Sequence, residues 1–315
     1  MLPTPEDLTL DEIQVRFGTD EKARQYLEEI RWPNGPVCPH CKGTENIWEI
    51  NTNTAKKIRA GLRQCGKCKG QFTVTVGTIF EDSHIPLRKW LVAWYLLCSS
   101  KKGISSLQIQ RMLGLGSYRT ALFMMHRIRY AISHPNFTGM LKGTVEVDEC
   151  YIGGKRTNVG PGYKKNKAAV VSLVERGGNK RSFMMRVNGP NLKNAIMEHV
   201  QDGSIVCTDD YFGYRPMPKI FTHKPVKHSA GEYVRKEGDF TAHTNTVEST
   251  FSLLKRGIID TFHQVSKKHL PLYLAEFDHR FNHRKVTDGE RTVSALKMAE
   301  GKRMTLKPLK NGMRK

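Results

Sequence analysis

The spacing of apolar residues changes period along the chain, and each change predicts a different element. Residues 21–30 carry a short helical pattern that Pro33 and Gly35 stop. Further on, Leu87, Trp90, Leu91, Trp94, Leu97 and Cys98 recur at steps of three and four, which predicts a helix with one apolar face. Residues 105–113 predict a short helix, Gly114-Leu115-Gly116 a turn, and residues 118–132 a longer helix lined by Leu122, Met125, Ile128 and Ile132. Short helix, glycine turn and longer helix form a helix-turn-helix pattern, although a plain helical hairpin has the same outline.

From residue 144 the period falls to two. In TVEVDECY (144–151), Val145 and Val147 point one way while Glu146, Asp148 and Cys150 point the other, which predicts a strand with an acidic face. Gly153-Gly154 signals a turn into a basic, glycine-rich loop holding Lys164 and Lys165. Strands are expected at 168–174 and 182–187 around a turn at 177–179, then a helix at 191–200. Ile205, Val206 and Cys207 give a short, continuously apolar strand at 204–208, as a buried central strand requires, and it ends in Asp209-Asp210. Residues 245–255 predict a helix. Val247, Phe251 and Leu254 share one face, and Glu248, Ser252 and Lys255 the next. Three strands, a helix and a further strand match the order of an RNase-H-like core.

Charge changes this picture. Lys and Arg number 51 against 30 Asp and Glu, a formal net charge of +21. An excess of that size calls for a polyanionic partner, of which nucleic acid is the commonest. In a helix-turn-helix the start of the second helix enters the major groove, so Tyr118, Arg119 and Thr120 are the residues expected to face bases. Lys164, Lys165, Lys255 and Arg256 are candidate DNA contacts, and residues 291–315 read as a loose basic tail. No run of about 18 apolar residues predicts a membrane span. The acidic N-terminus lacks an apolar signal core, so the expected location is the cytoplasm, at the nucleoid.

Four of the seven cysteines form two C-x2-C pairs, Cys38/Cys41 in CPHC and Cys65/Cys68 in CGKC. Each pair sets two thiolates on a tight turn, the second eased by Gly66. Four thiolates suit one tetrahedral, structural Zn2+, closed to substrate. A redox dithiol needs only one pair. His40 reads as a turn residue, and Lys42, Lys67 and Lys69 lie within phosphate reach of such a ribbon.

The acids carry the remaining chemistry. Asp148, Asp209 and Glu248 fall where that sheet-and-helix order brings them together, and carboxylate oxygens suit hard divalent ions. Two such ions would serve nucleotidyl transfer, with Lys255 holding a phosphate. Taken singly, Asp148 could be a surface acid, Asp209 a strand end, and Glu248 the partner of Asn245 in a capping box. Asp210 and Asn245 are alternative oxygen ligands; Glu248 is preferred to Asn245 because a carboxylate binds a hard cation better than an amide.

The segments CPHC…CGKCKGQFTVTVGTIF, VEVDECYIGGK, CTDDYFGY, HSAGEYVR, HTNTVESTFSLLKRGI and HLPLYLAEFDHRFNHRK together resemble the DDE-type insertion-sequence transposases with an N-terminal zinc ribbon, the ISXO-like group. The resemblance spans roughly residues 30–285. It implies an RNase-H-like catalytic domain, Mg2+ or Mn2+, and terminal inverted repeats as substrate, with Asp148, Asp209 and Glu248 as the acids and Lys255 as the basic residue. The expected architecture is multidomain α+β: an N-terminal helical segment (1–35), a zinc ribbon (36–80), a helical DNA-binding segment (81–139), an RNase-H-like catalytic domain with a mixed sheet (140–290) and the tail (291–315). The expected partners are double-stranded DNA, as element ends and target, and a second copy of the chain. A zinc-ribbon regulator without catalysis, or a nuclease that only hydrolyses, are the rival readings.

Overall fold

The computed structural model describes residues 8–51, 59–133, 139–153 and 167–305. The chain separates into two compact units, residues 1–132 together with 286–315, and residues 133–285. Among the described residues, no helix is long and apolar enough to cross a membrane.

The first unit opens with α1 (Leu10–Phe17) and α2 (Asp20–Arg31), each started by a threonine hydroxyl, Thr9 or Thr19, that accepts a free N–H of the first turn. A small antiparallel sheet follows, ordered β1 (Ile47–Glu49), β2 (Arg63–Cys65), β3 (Gln71–Phe72). Three helices come next: α3 (Leu87–Ser99), α4 (Ser106–Leu113) and α5 (Tyr118–Ile132). The sequence pattern gave α3 one apolar face. In the structure Trp90, Leu91, Ala93, Trp94, Leu97 and Cys98 are each at most 1% exposed, because α1, α2, α4 and α5 all pack against α3. A helix apolar on several sides belongs inside a core. The Trp90 indole N–H donates to the Ser83 hydroxyl at 2.9 Å, while the Phe80 ring meets Trp90 edge-on.

The second unit is built on a five-stranded mixed sheet. Its strands are β4 (Thr144–Ile152), β5 (Ala168–Glu175), β6 (Lys180–Met184), β7 (Ile205–Thr208) and β8 (Thr222–Pro225), with α6 (Gly189–His199) between β6 and β7. The spatial order is β6-β5-β4-β7-β8. The first three strands pair antiparallel; β7 and β8 join parallel. A hairpin of β9 (Val234–Glu237) and β10 (Phe240–His243) leads into α7 (Asn245–Arg256), which runs on into one π-helical turn, and α8 (Leu270–Asn282) follows. Alternation on β4 sorts the two cores. Val145 and Val147 pack with Leu192 and Ile196 of α6, whereas Cys150 packs with Val247, Phe251 and Leu254 of α7.

Three expectations need correction. The third strand begins at Lys180 and ends at Met184, not at 182–187, because Gly178 closes a tight turn (its N–H donates to Glu175 O at 3.0 Å) and pairing resumes at once with Val174↔Lys180. Gly66 does not ease its turn through a left-handed backbone; the positive φ angles belong to Lys42 and Lys69, and Gly66 is needed because a Cβ there would lie 2.8 Å from Asn46. The described part of 291–315 is not a loose tail. Thr287 and Glu290 form a capping box that starts α9 (Asp288–Lys297), Ala295, Leu296 and Ala299 enter the core of the first unit, and Arg291 donates to Cys98 O at 2.9 Å.

Candidate active site

Register brings the first two acids together. The parallel ladder of β4 with β7 ends at Glu146↔Cys207. Two residues further along stand Asp148, within β4, and Asp209, just past the end of β7. Glu248 comes from the first turn of α7, whose Val247, Phe251 and Leu254 seat the helix on the same face of the sheet.

The electrostatics tie the three carboxyls into one group. Asp148 is pushed up to about 7, first by burial and then by the negative charges of Glu149, Asp209 and Glu248, against a 2.7 Å hydrogen bond donated to its Oδ1 by the Glu149 N–H. Burial also raises Asp209. The Tyr211 N–H, which donates to its Oδ1 at 3.1 Å, and His228 pull it down, while Asp210 and Glu248 push it up. Asp210 behaves otherwise: the Ser229 hydroxyl donates to it and holds it below the usual carboxylate range. The hydroxyl of Thr244 donates to Glu248 Oε1 at 2.8 Å, and His228 Nε2 lies 3.7 Å from the same oxygen. Glu248 therefore completes no capping box. Asn245 is exposed, with no charge to contribute to the group. Among the described residues the acids do not gather as a closed ligand set; only the four cysteines do.

Lys255 is exposed on α7, and its charge offsets in part the burial that raises the Cys150 thiol, two residues along β4 from Asp148. Arg256 is exposed beside it. Lys164 and Lys165 lie outside the described residues.

Periodicity missed how Glu146 is used. This glutamate is fully buried and accepts from Arg176 Nε (2.7 Å), the Thr246 N–H (2.8 Å), the Thr246 hydroxyl (2.9 Å) and the Val247 N–H (3.0 Å). Arg176 continues the network to the carbonyls of Thr241 (2.7 Å) and His243 (3.0 Å). The alternation of β4 puts Glu146 on the side of Asp148, but no sequence signal locates its partners 30 to 101 residues away.

In the first unit, Cys38, Cys41, Cys65 and Cys68 bring their sulfurs within 4.8 Å of one another. The Cys38–Cys68 and Cys41–Cys65 separations are 3.6 and 3.7 Å. Four Zn–S bonds of about 2.3 Å in a tetrahedron would hold sulfurs about 3.8 Å apart, so the cage fits that ion. Both turns repeat one design: the N–H of Lys42 donates to Cys38 O and that of Lys69 to Cys65 O, each at 2.9 Å. His40 stands outside the cage, with Nε2 3.3 Å from Gln71 O. In α4 and α5 the turn closes through Gly114 in the left-handed region, and Ser117 caps α5 by accepting the Thr120 N–H at 3.1 Å. Tyr118, Arg119 and Thr120 are all exposed on the first turn, while Ala121, Met124, Met125 and Ile128 are buried below them.

A mixed sheet with an acidic group at its centre, joined in one chain to a four-cysteine ribbon, defines the class. Residues 140–282 match the ISXO2-like transposase domain and residues 18–71 match the transposase zinc-ribbon domain. A protein in the transposable element ISH50 of Halobacterium salinarum, itself described as uncharacterized, is 30% identical over 283 residues, covering 84% of this chain and 91% of that protein. The chain belongs to the ISXO2-like insertion-sequence transposases with an N-terminal zinc ribbon.

Proposed function

We propose that this transposase binds the terminal inverted repeats of its element as double-stranded DNA, cuts the strand there and joins it to target DNA. In this reading the second unit is an RNase-H-like catalytic domain. Asp148, Asp209 and Glu248 hold paired Mg2+ or Mn2+ ions, and Cys38, Cys41, Cys65 and Cys68 hold one structural Zn2+. The observation that carries it is the convergence on Asp148 of β4 of the charges of Asp209, past the end of β7, and Glu248 of α7, with burial holding Asp148 and Asp209 above the usual carboxylate range. Two acids held at the cost of their own ionisation, with a third carboxylate acting on both, suit a dication, and hard carboxylate oxygens suit magnesium.

Bound there, divalent ions would activate the attacking oxygen and stabilise the leaving one. The chain's own part is orientation. The Glu149 and Tyr211 N–H groups each fix one oxygen of Asp148 and Asp209, and the Thr244 hydroxyl fixes Glu248. Lys255 holds a phosphate of the bound strand, with Arg256, Lys164 and Lys165 as further phosphate contacts. Water attacks the scissile phosphorus and the P–O3′ bond breaks, leaving a 3′-hydroxyl and a 5′-phosphate; that hydroxyl then attacks a target phosphodiester, forming a new P–O bond as the target's own 3′-oxygen leaves as a hydroxyl, with no covalent enzyme intermediate. Pairing two ends requires at least a dimer on DNA, and the protein acts at the nucleoid.

The test is a strand-transfer assay with end-containing DNA, target plasmid and Mg2+. Joined product supports the reading. Hydrolysis without joining would make the protein a nuclease, and a gel shift without cutting would make it a zinc-ribbon regulator. In the same experiment Arg119→Ala is expected to weaken end binding about tenfold, and to weaken random DNA less, as loss of a base contact should. An equal fall on both DNAs would make Arg119 a phosphate contact, and no change would leave α4 and α5 a plain helical hairpin.

A further inference from the structure

We infer that Glu146 is a positioning residue: its buried carboxylate holds the start of α7 against β4 and so sets where Glu248 stands relative to Asp148. The inference deepens the proposed two-metal reading and rests on it.

A helix start leaves N–H groups without partners, and an ordinary N-cap side chain satisfies one or two of them. Here the N-cap residue Thr244 does not serve, because its hydroxyl is given to Glu248. Glu146 replaces it from a different element. It takes the N–H groups of Thr246 and Val247 on Oε2 and the Thr246 hydroxyl on Oε1. Negative charge is favoured at that end of a helix. Arg176 then neutralises the carboxylate and fastens the strand before α7 through Thr241 O and His243 O. His243 Nδ1, 3.2 Å from Glu146 Oε1, closes the group.

Geometry makes the link to the acids direct. Glu146 and Asp148 are two residues apart on one face of β4, and Val247 and Glu248 are consecutive on α7. The distance between the first and third acids is therefore spanned by one rigid strand step, one carboxylate and one helical step. Partners that orient ligands in this way typically govern metal affinity by about 10–100-fold.

The experiment measures Mn2+ binding directly, by titration of the free-ion paramagnetic resonance signal, in the full-length wild type, Asp148→Ala, Glu146→Gln, Thr246→Val and Leu192→Ala. Leu192 lies in the core on the opposite face of the sheet and serves as a control for stability alone. Glu146→Gln is expected to weaken Mn2+ binding about tenfold or more, and Thr246→Val, which removes one hydrogen bond and should fold normally, to weaken it less. Leu192→Ala should leave the affinity unchanged even where its melting temperature falls as far. Wild-type affinity in both Glu146→Gln and Thr246→Val would overturn the inference while leaving the two-metal reading intact. Equal binding by wild type and Asp148→Ala would overturn that reading, and the inference with it.

Discussion

Asp148→Asn is expected to abolish DNA strand cleavage and, at the same time, to stabilise the metal-free protein above pH 7. Losing a ligand that supports several kcal/mol of transition-state stabilisation costs on the order of 1000-fold in rate. The stability effect has the opposite sign. The folded protein holds the Asp148 proton up to about pH 7, whereas the free side chain loses it near 3.8. Below the lower value both states are protonated and nothing is lost. As pH rises from there the unfolded chain gains by ionising while the folded one does not, and the penalty is complete above 7. Asparagine carries no such penalty. The melting temperature of the metal-free wild type should therefore fall between pH 5 and 8 relative to the variant, by roughly 5 °C. Added Mg2+ should restore the wild type and leave Asp148→Asn unchanged. Parallel pH profiles for the two proteins would show that Asp148 is not under this pressure.

Removing zinc should have the second large effect. Cys38 and Cys65 are fully buried and belong to the same core as Trp32, Phe72, Trp90 and Trp94. A structural zinc site contributes about 10–16 kcal/mol of apparent binding free energy, which rivals the whole stability of an ordinary domain at about 5–15 kcal/mol. Cys38→Ser, or a strong chelator, is expected to collapse the near-ultraviolet dichroism of the buried tryptophans and to eliminate binding to element ends. Elemental analysis should find one zinc per chain in the untreated protein. A chelated protein that keeps its tryptophan signal and its DNA affinity would mean that the cysteine cage stands without metal.

The parts of this molecule legible in the sequence are those governed by short-range pattern. The bounds of α5 followed from the Gly114–Gly116 turn and the helical spacing of Met125, Ile128 and Ile132, although its buried face runs through Ala121 and Met124 and not Leu122, and the two faces of β4 followed from alternation over 145–148. The zinc ribbon was legible because two C-x2-C turns admit few other uses. What escaped the pattern is held by long-range polar contacts. The hairpin of β9 and β10 has few buried residues, and it is tied to β8 by the Lys224–Glu237 ion pair and by Arg235, which donates to Pro225 O at 2.6 Å. Arg176 lies between β5 and the turn at 177–179, yet its guanidinium ties β4 to β10. Helix α9 is hidden by the basic run that follows it, from Lys302 to Lys315, although Thr287 and Glu290 signal its start. The surroundings of Asp209 and Asp210, like those of Glu248 and Asn245, differ only in three dimensions. Asp209 and Glu248 act on Asp148 electrostatically, while Asp210 is turned to Ser229 and Asn245 is exposed.

The decisive measurement is anomalous diffraction from crystals of the wild type grown with Mn2+ and end-containing DNA. The expected result is manganese within about 2.2 Å of carboxylate oxygens of Asp148 and Asp209, with Glu248 completing the site beside the scissile phosphate. Manganese bound at other side chains, with these three acids bare in a crystal whose DNA has been cut, would contradict the assignment.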